Sequence, residues 1–536
     1  MKNLFIFLFA FLLLAFQSCK KNDFIDVREF GAVGDGKTLC TKAFNDAISF
    51  CASHGGGTIN VPAGTYYSGT IVLKSNINLH LEPGAVILAS RDTADYQKMP
   101  AHQFQEGYVH FGLIYAADCK NISLTGQGVI NGNGTFFMNS IDKPHSGNDF
   151  DRKLTRQGMD FMRPGTVIED GPVSYNYRPG MLVVMLRCEN VTVQDLMFYD
   201  SPEWTFRIGD CEDVLVTGIT IRNNRLIPNS DGIHCTTSRN VRISNCDIVA
   251  GDDAIIVTGF ADEISGSEIS GIPYPSRNTG NKTGYAENVT VTNCVLSSRS
   301  AGIRVGYGEN PIRNLIFNNI VIYGSNRGIG VFARDKSDIE NVEFSNIIIN
   351  TRLHSGHWWG KGEPIHVSAI RDSRNGKAGS IRNIRFTGIR AESGAGILLY
   401  GVPESPLENI TLKDIDLTIK SGKYSESYGG NFDLRPAYPL DSALFAHDIP
   451  GCFAQGVMNL VIKDFNLKWS DNLPNYFSDG LAIYDFRGLY LEDIFALPAF
   501  NRKELAAIRL VNGSEAELLN CRTAKDIKLL VKEKVH

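Results

Sequence analysis

Asn190-Val191-Thr192-Val193, Asp213-Val214-Leu215-Val216, Asn240-Val241-Arg242-Ile243 and Asn288-Val289-Thr290-Val291 are four copies of one phrase, a short polar residue followed by alternating β-formers. The phrase also occurs upstream at Asn121-Ile122-Ser123-Leu124 and downstream from Asn314, Asn341, Asn383, Asn409 and Asn459. Successive copies are separated by roughly one, two or three times a unit in the low-to-middle twenties, a period that belongs to solenoids. Apolar and polar residues alternate within each unit, which points to strands, and the leucine and asparagine framework of a leucine-rich repeat is absent. The expected fold is therefore all-β, a right-handed parallel β-helix. Inward aliphatic side chains would stack from coil to coil, and the asparagines at the bends would bond to neighbouring backbone groups. Lys42 to Ser53 reads as an amphipathic helix, placed to cap the first coil and keep its edge covered.

A single β-helix domain is expected over 24–536, with the period broken by two long insertions. The first, at about 136–179, carries Arg152, Arg156, Arg163, Tyr175, Tyr177 and Arg178. The second, at 351–370, carries His354, His357, Trp358, Trp359, Lys361, Glu363 and His366. Insertions on one side of a solenoid commonly form its binding surface, and paired tryptophans in a loop suit a sugar ring or packing against the coil. The wall of apolar residues from Leu4 to Phe16 after Lys2 is too short to span a membrane and reads as a signal peptide over 1–19. Its end at Phe16-Gln17-Ser18-Cys19 resembles a loose bacterial lipoprotein cleavage site, with Cys19 as the lipidated residue. The expectation is an exported monomer, lipid-anchored in the bacterial cell envelope.

With 536 residues, 43% apolar, 21% charged and a net charge of −5, the chain has the balance of a folded protein and no basic surplus for nucleic acid. The 52 glycines fit a chain that turns sharply many times. Eleven cysteines are an odd number without close pairing, so most are expected as buried packing residues, Cys246 and Cys294 at equivalent places in their repeats among them. No cysteine and histidine spacing suits zinc, and no metal or cofactor is expected.

Chemistry is expected from Asp231, in Asn229-Ser230-Asp231-Gly232-Ile233-His234, and from Asp252 and Asp253 after Gly251. The two motifs are 21 residues apart, about one coil, so the acids would meet across the roughly 4.8 Å between neighbouring strands. Consecutive residues on a straight strand face opposite ways, so Asp252 and Asp253 can share a site only where the chain bends at Gly251. Clustered carboxylates suit glycosidic cleavage, one donating a proton and another activating water.

The opening Asp26-Val27-Arg28-Glu29-Phe30-Gly31-Ala32-Val33-Gly34-Asp35-Gly36, with Gly55-Gly56-Gly57-Thr58 after it, resembles the start of pectin-degrading β-helix enzymes. Asn229-Ser230-Asp231 and Gly251-Asp252-Asp253 resemble the two acidic motifs of glycoside hydrolase family 28, the polygalacturonase family. The likeness spans about residues 24 to 420. It implies Asp252 as general acid, and Asp231 and Asp253 as holders and activators of water, in a single displacement with inversion. It also implies a pectic polysaccharide or oligosaccharide substrate, and the long insertions suggest exo action. Two family features are missing: Ser300-Ala301-Gly302 stands where the family has glycine-histidine-glycine, and Gly330-Val331-Phe332 where it has arginine-isoleucine-lysine. Arg304 is the candidate substitute anion ligand, with Asn229, His354, His357 and Trp358 as further substrate contacts and Arg299 and Arg334 as additional candidates. Two other readings of the same scaffold are a calcium-assisted polysaccharide lyase and a non-catalytic glycan-binding β-helix.

Overall fold

The structure is a computed structural model that describes residues 24–97, 112–139, 154–158, 173–260, 284–334, 336–354, 358–372, 376–439 and 442–536. Successive coils stack in parallel register into a right-handed β-helix. On one face Phe206, Ile233, Ile255, Ile303, Ile329 and Ile365 form a continuous inward column. On the next face Val214, Val241, Val289, Leu315, Val342 and Ile384 do the same. Each of these side chains is essentially inaccessible, so the period-two alternation of the sequence becomes one uninterrupted apolar core.

The repeat asparagines turn the chain, but by a means other than backbone bonding. Asn190, Asn240, Asn288, Asn314, Asn341, Asn383, Asn409 and Asn459 all lie in the left-handed region, with φ between 54° and 58°. Asparagine tolerates this conformation better than other residues with a Cβ. Their side-chain amides then bond to one another across coils: Asn341 donates to Asn314 at 3.3 Å, Asn383 to Asn341 at 3.1 Å and Asn409 to Asn383 at 2.9 Å. Stacking at strand spacing brings each amide to its own copy in the next coil, which is a better-placed partner than the backbone.

At the N-terminal end helix α1 (Thr41–Ser53) buries Ala43, Phe44, Ala47, Ile48 and Cys51 against the first coils, the cap expected from the sequence. Beyond residue 420 the chain makes further coils, with strands Cys452–Trp469, Leu481–Phe495, Ile508–Leu519 and Leu530–Val535 stacked in parallel. Of the ten cysteines among the described residues, all but Cys521 are buried. Cys19 and the apolar leader lie outside the described residues. Among the described residues no helix is long and apolar enough to cross a membrane.

The second insertion is shorter than the sequence suggests. Ile365–Ala369 is a regular coil strand between Arg327–Ala333 and Ile397–Gly401, its Ile365 and Val367 pointing into the core. A third excursion, absent from the sequence reading, contains the antiparallel pair Asn431–Asp433 and Leu444–Ala446. Part of the first insertion docks on it: Arg156 N–H donates to Asn431 Oδ1 at 2.6 Å, Arg156 Nε to Gly430 O at 3.1 Å, and Gln157 Nε2 to Gly429 O at 2.7 Å.

Candidate active site

Ser230 hydroxyl donates to Ile227 O at 2.9 Å and closes the turn that delivers Asp231 to the start of strand Ile233–Thr236. One coil on, Gly251-Asp252-Asp253 occupies the matching turn before strand Ile255–Gly259. The two turns are in register, Gly251 N–H donating to Ser230 O at 3.2 Å and Gly232 N–H to Asp253 O at 2.9 Å. A Cβ on Gly251 would lie 2.2 Å from Ser230 Oγ and 2.5 Å from Ile227 O, so only glycine permits the two turns to approach this closely.

The next coil completes the support. Ala301 N–H donates to Asp253 Oδ1 at 2.7 Å, Arg304 Nε lies 2.6 Å from Asp253 Oδ2, and Ser298 hydroxyl donates to Asp252 O at 2.5 Å. Asp253 N–H donates to Asp252 Oδ1 at 3.0 Å. Asp231 is 3% exposed and Asp253 5%, whereas Asp252 is only half-buried and is the carboxyl best placed to meet solvent or substrate.

Burial, followed by the charge of Asp253, raises Asp252 to about 7, with Arg304 opposing the rise. Burial, followed by the charges of Asp252 and Asp253, raises Asp231 well above the ordinary carboxylate range. The cluster therefore keeps protons that isolated carboxylates would have lost, the condition for a general acid near neutrality.

His234, three residues after Asp231, faces out of the core because its neighbours Ile233 and Cys235 face in. Its Nδ1 is 3.9 Å from Asp231 Oδ2, its Nε2 3.3 Å from Thr258 Oγ1, and its ring lies 3.7 Å from that of Trp204. Burial and the nearby Arg304 and Arg207 push it well below the usual histidine value, so it is neutral. His234 and Trp204 carried no role in the sequence reading, although alternation along Ile233-His234-Cys235 signals the outward position.

The expected substrate contacts are placed as follows. Asn229 is exposed, and its Oδ1 accepts from Arg178 at 3.0 Å; the same guanidinium donates to Pro202 O and Pro228 O at 2.9 and 2.5 Å. Arg178 thus braces the Asp231 turn from the first insertion. Arg304 is 8% exposed and engaged by Asp253. His354 bridges Arg299, at 2.5 Å from Nδ1, and Gly324 O, at 2.9 Å from Nε2, which ties the second insertion to the coils beside the acids. Trp358 is 4% exposed with its carbonyl 3.4 Å from Asn326 Nδ2, while Trp359 is 38% exposed. His357 lies outside the described residues.

Gly330, where the family clamp has arginine, is in register between Arg304 and His366. A Cβ there would sit 2.5 Å from the Phe332 ring, so the glycine makes room for that ring. Arg327 and Arg334 lie over Phe332 at 4.9 and 5.0 Å. Both reach the third excursion, Arg327 donating to Asp433 O at 3.2 Å and Arg334 to Leu434 O at 3.0 Å. Arginines flanking the lost motif thus fasten the wall of the site.

Residues 174–430 match the glycosyl hydrolases family 28, and residues 24–162 match the rhamnogalacturonase A/epimerase, pectate lyase-like family. The similarity to glycoside hydrolase family 28 covers the segment that carries all three acids. It is 30% identical to the Vitis vinifera protein named "Probable polygalacturonase" over 245 residues, 44% of each chain. It is 28% identical over 252 residues to the exo-poly-alpha-D-galacturonosidase of Dickeya chrysanthemi, covering 43% of this chain and 41% of that one. These matches span less than half the length of either relative. In fold, the chain is similar to a hyperthermoactive exopolygalacturonase from Thermotoga maritima, with a TM-score of 0.57 at 24% identity, over 75% of this chain and 87% of that one.

Proposed function

We propose that the protein hydrolyses an α-linked galacturonic acid or related sugar in a pectic glycan, with inversion and from a chain end. The observation that carries this is the meeting of three carboxyl groups from two adjacent coils, one of them half-buried and raised to about 7. Asp252 donates its proton to the leaving glycosidic oxygen. Asp231 and Asp253 hold the attacking water, and Asp253, paired with Arg304, accepts its proton. The names of the relatives in Dickeya chrysanthemi and Vitis vinifera support the substrate class, and that of the Dickeya protein supports exo action. A calcium-assisted lyase reaction is less well supported, since a cation at Asp253 would have to displace the Arg304 guanidinium.

The experiment is Asp252→Asn assayed on a panel of pectic oligosaccharides by proton magnetic resonance. The expected result is inverted product from the wild type and a loss of about 100- to 10,000-fold in the variant. Turnover unchanged by the substitution removes the proposed acid. Unsaturated product selects the lyase, and binding without product selects a glycan-binding protein.

The same proposal extends to the chain's address: export through the leader 1–19 with lipidation at Cys19. Labelling of expressing cells with a fatty-acid probe is expected to mark the wild-type protein and not Cys19→Ala. An unlabelled wild type removes the anchor.

A further inference from the structure

We infer that Arg304 is a positioning residue for the reaction, fixing the Asp253 carboxylate and the charge balance of the acid cluster rather than gripping the substrate. This rests on the hydrolase reading above.

Four observations carry the inference. Arg304 Nε forms an ion pair 2.6 Å from Asp253 Oδ2 without hydrogen-bond alignment, while the other oxygen of that carboxyl accepts the Ala301 N–H at 2.7 Å, so both oxygens face groups of the same coil. Arg304 is 8% exposed, little surface for a substrate ligand. Its guanidinium lies 4.4 Å over the Tyr307 ring, and Tyr307 stacks at 5.9 Å on Phe332. Tyr307 is itself at φ 69°, beside a register shift between Val257/Gly259 and Val305/Gly308. A bulky residue in the left-handed region is strained, and such strain persists where the surroundings impose it. The bulge, the tyrosine and the side-chain-free Gly330 in register beside Arg304 form a shelf that holds the guanidinium against Asp253.

The position of the family histidine, Ala301, contributes only a backbone N–H. Its role in orienting and charging the cluster passes to a guanidinium that stays charged: burial opposes the charge, but Asp253, Tyr307, Asp231 and Asp252 around it outweigh that and raise Arg304 above its usual value. The charged and titratable groups facing it are these four, with His234 sensing it from the preceding coils together with Arg207, and Arg327 and Arg334 facing Tyr307 from the next coil. Since Arg304 lowers both Asp252 and Asp231, its removal favours their protonated forms.

The test compares Arg304→Gln and Arg304→Lys with the wild type, after circular dichroism confirms folding. For R304Q the expected result is a fall of about 100-fold in kcat at little change in KM, from misplacement of Asp253. Its alkaline limb moves to higher pH by up to about one pH unit, from loss of the positive charge. R304K keeps the charge but not the planar fork, so its limb stays near the wild-type position while kcat recovers in part. A raised KM alone in R304Q, or three identical profiles, overturns the inference. Carboxyl infrared titration of the substrate-free proteins reads the same coupling without turnover. The last carboxyl to ionise is expected to do so at higher pH in R304Q, and coincident titrations overturn the inference whatever the substrate proves to be. Failure of the hydrolase reading is recognised separately, by a wild type that releases no product.

Discussion

Asp231 and Asp252 hold protons because burial and the charge of neighbouring carboxylates penalise their ionised forms, and this has consequences for rate and for stability. As the proposed general acid, Asp252 has to be protonated, so kcat is expected to fall as pH rises through about 7, which a pH–rate profile on an oligogalacturonide measures. For stability, a carboxyl whose folded value is raised loses its proton first in the unfolded chain. Its contribution is full below about pH 4 and is lost as pH rises through about 7. Asp252→Asn removes the ionisation, so its melting temperature is expected to exceed that of the wild type by a few degrees at pH 8 and to converge with it in acid. Scanning calorimetry at both pH values checks this, and a variant less stable at pH 8 contradicts it. At this scale the three aspartates were legible because their motifs are one coil apart. Arg178 and His234 were not assigned, since their partners come from turns and insertions whose contacts no spacing encodes.

Two turns in adjacent coils make the site, and Gly251 lets them close. Gly251→Ala places a methyl 2.2 Å from Ser230 Oγ, with Ile227 O beside it at 2.5 Å. Relief by parting the turns is expected to cost about 1–3 kcal/mol in urea unfolding and to lower kcat more than KM, because Asp252 moves away from Asp231. The repeat asparagines allow a cleaner separation of effects. Asn341→Gly keeps the left-handed bend but loses the amide bonds to Asn314 and Asn383. Asn341→Ala loses both, and is expected to be the less stable of the two by about 1–2 kcal/mol. The strands and their inward columns could be read from alternation alone, since a period of two in a repeated unit leaves one arrangement that buries all the aliphatic groups. The amide ladder was foreseen as backbone bonding because a single repeat does not reveal that its own copy is the nearest partner. The extent of the second insertion was overstated at Ile365–Ala369 for a related reason: its charged and aromatic flank concealed a short alternating strand.

At the scale of the whole molecule, the first, second and third excursions converge on the face that carries the acids. Their junction includes Arg156 with Asn431 and Asp448, and Gly360 with Asp433 Oδ2 at 3.0 Å. A wall assembled in this way is expected to restrict cleavage to chain ends, so time courses on polygalacturonan should release short products from the start while the viscosity of the polymer falls slowly. A rapid early drop in viscosity contradicts it. Fastening Arg156 to a segment some 275 positions later also sets an order of events. The acids can be stacked as soon as their own coils form, but the wall beside them waits until the chain has been laid down past Asp448. A half-built molecule therefore carries its acid cluster with that flank still unbuilt.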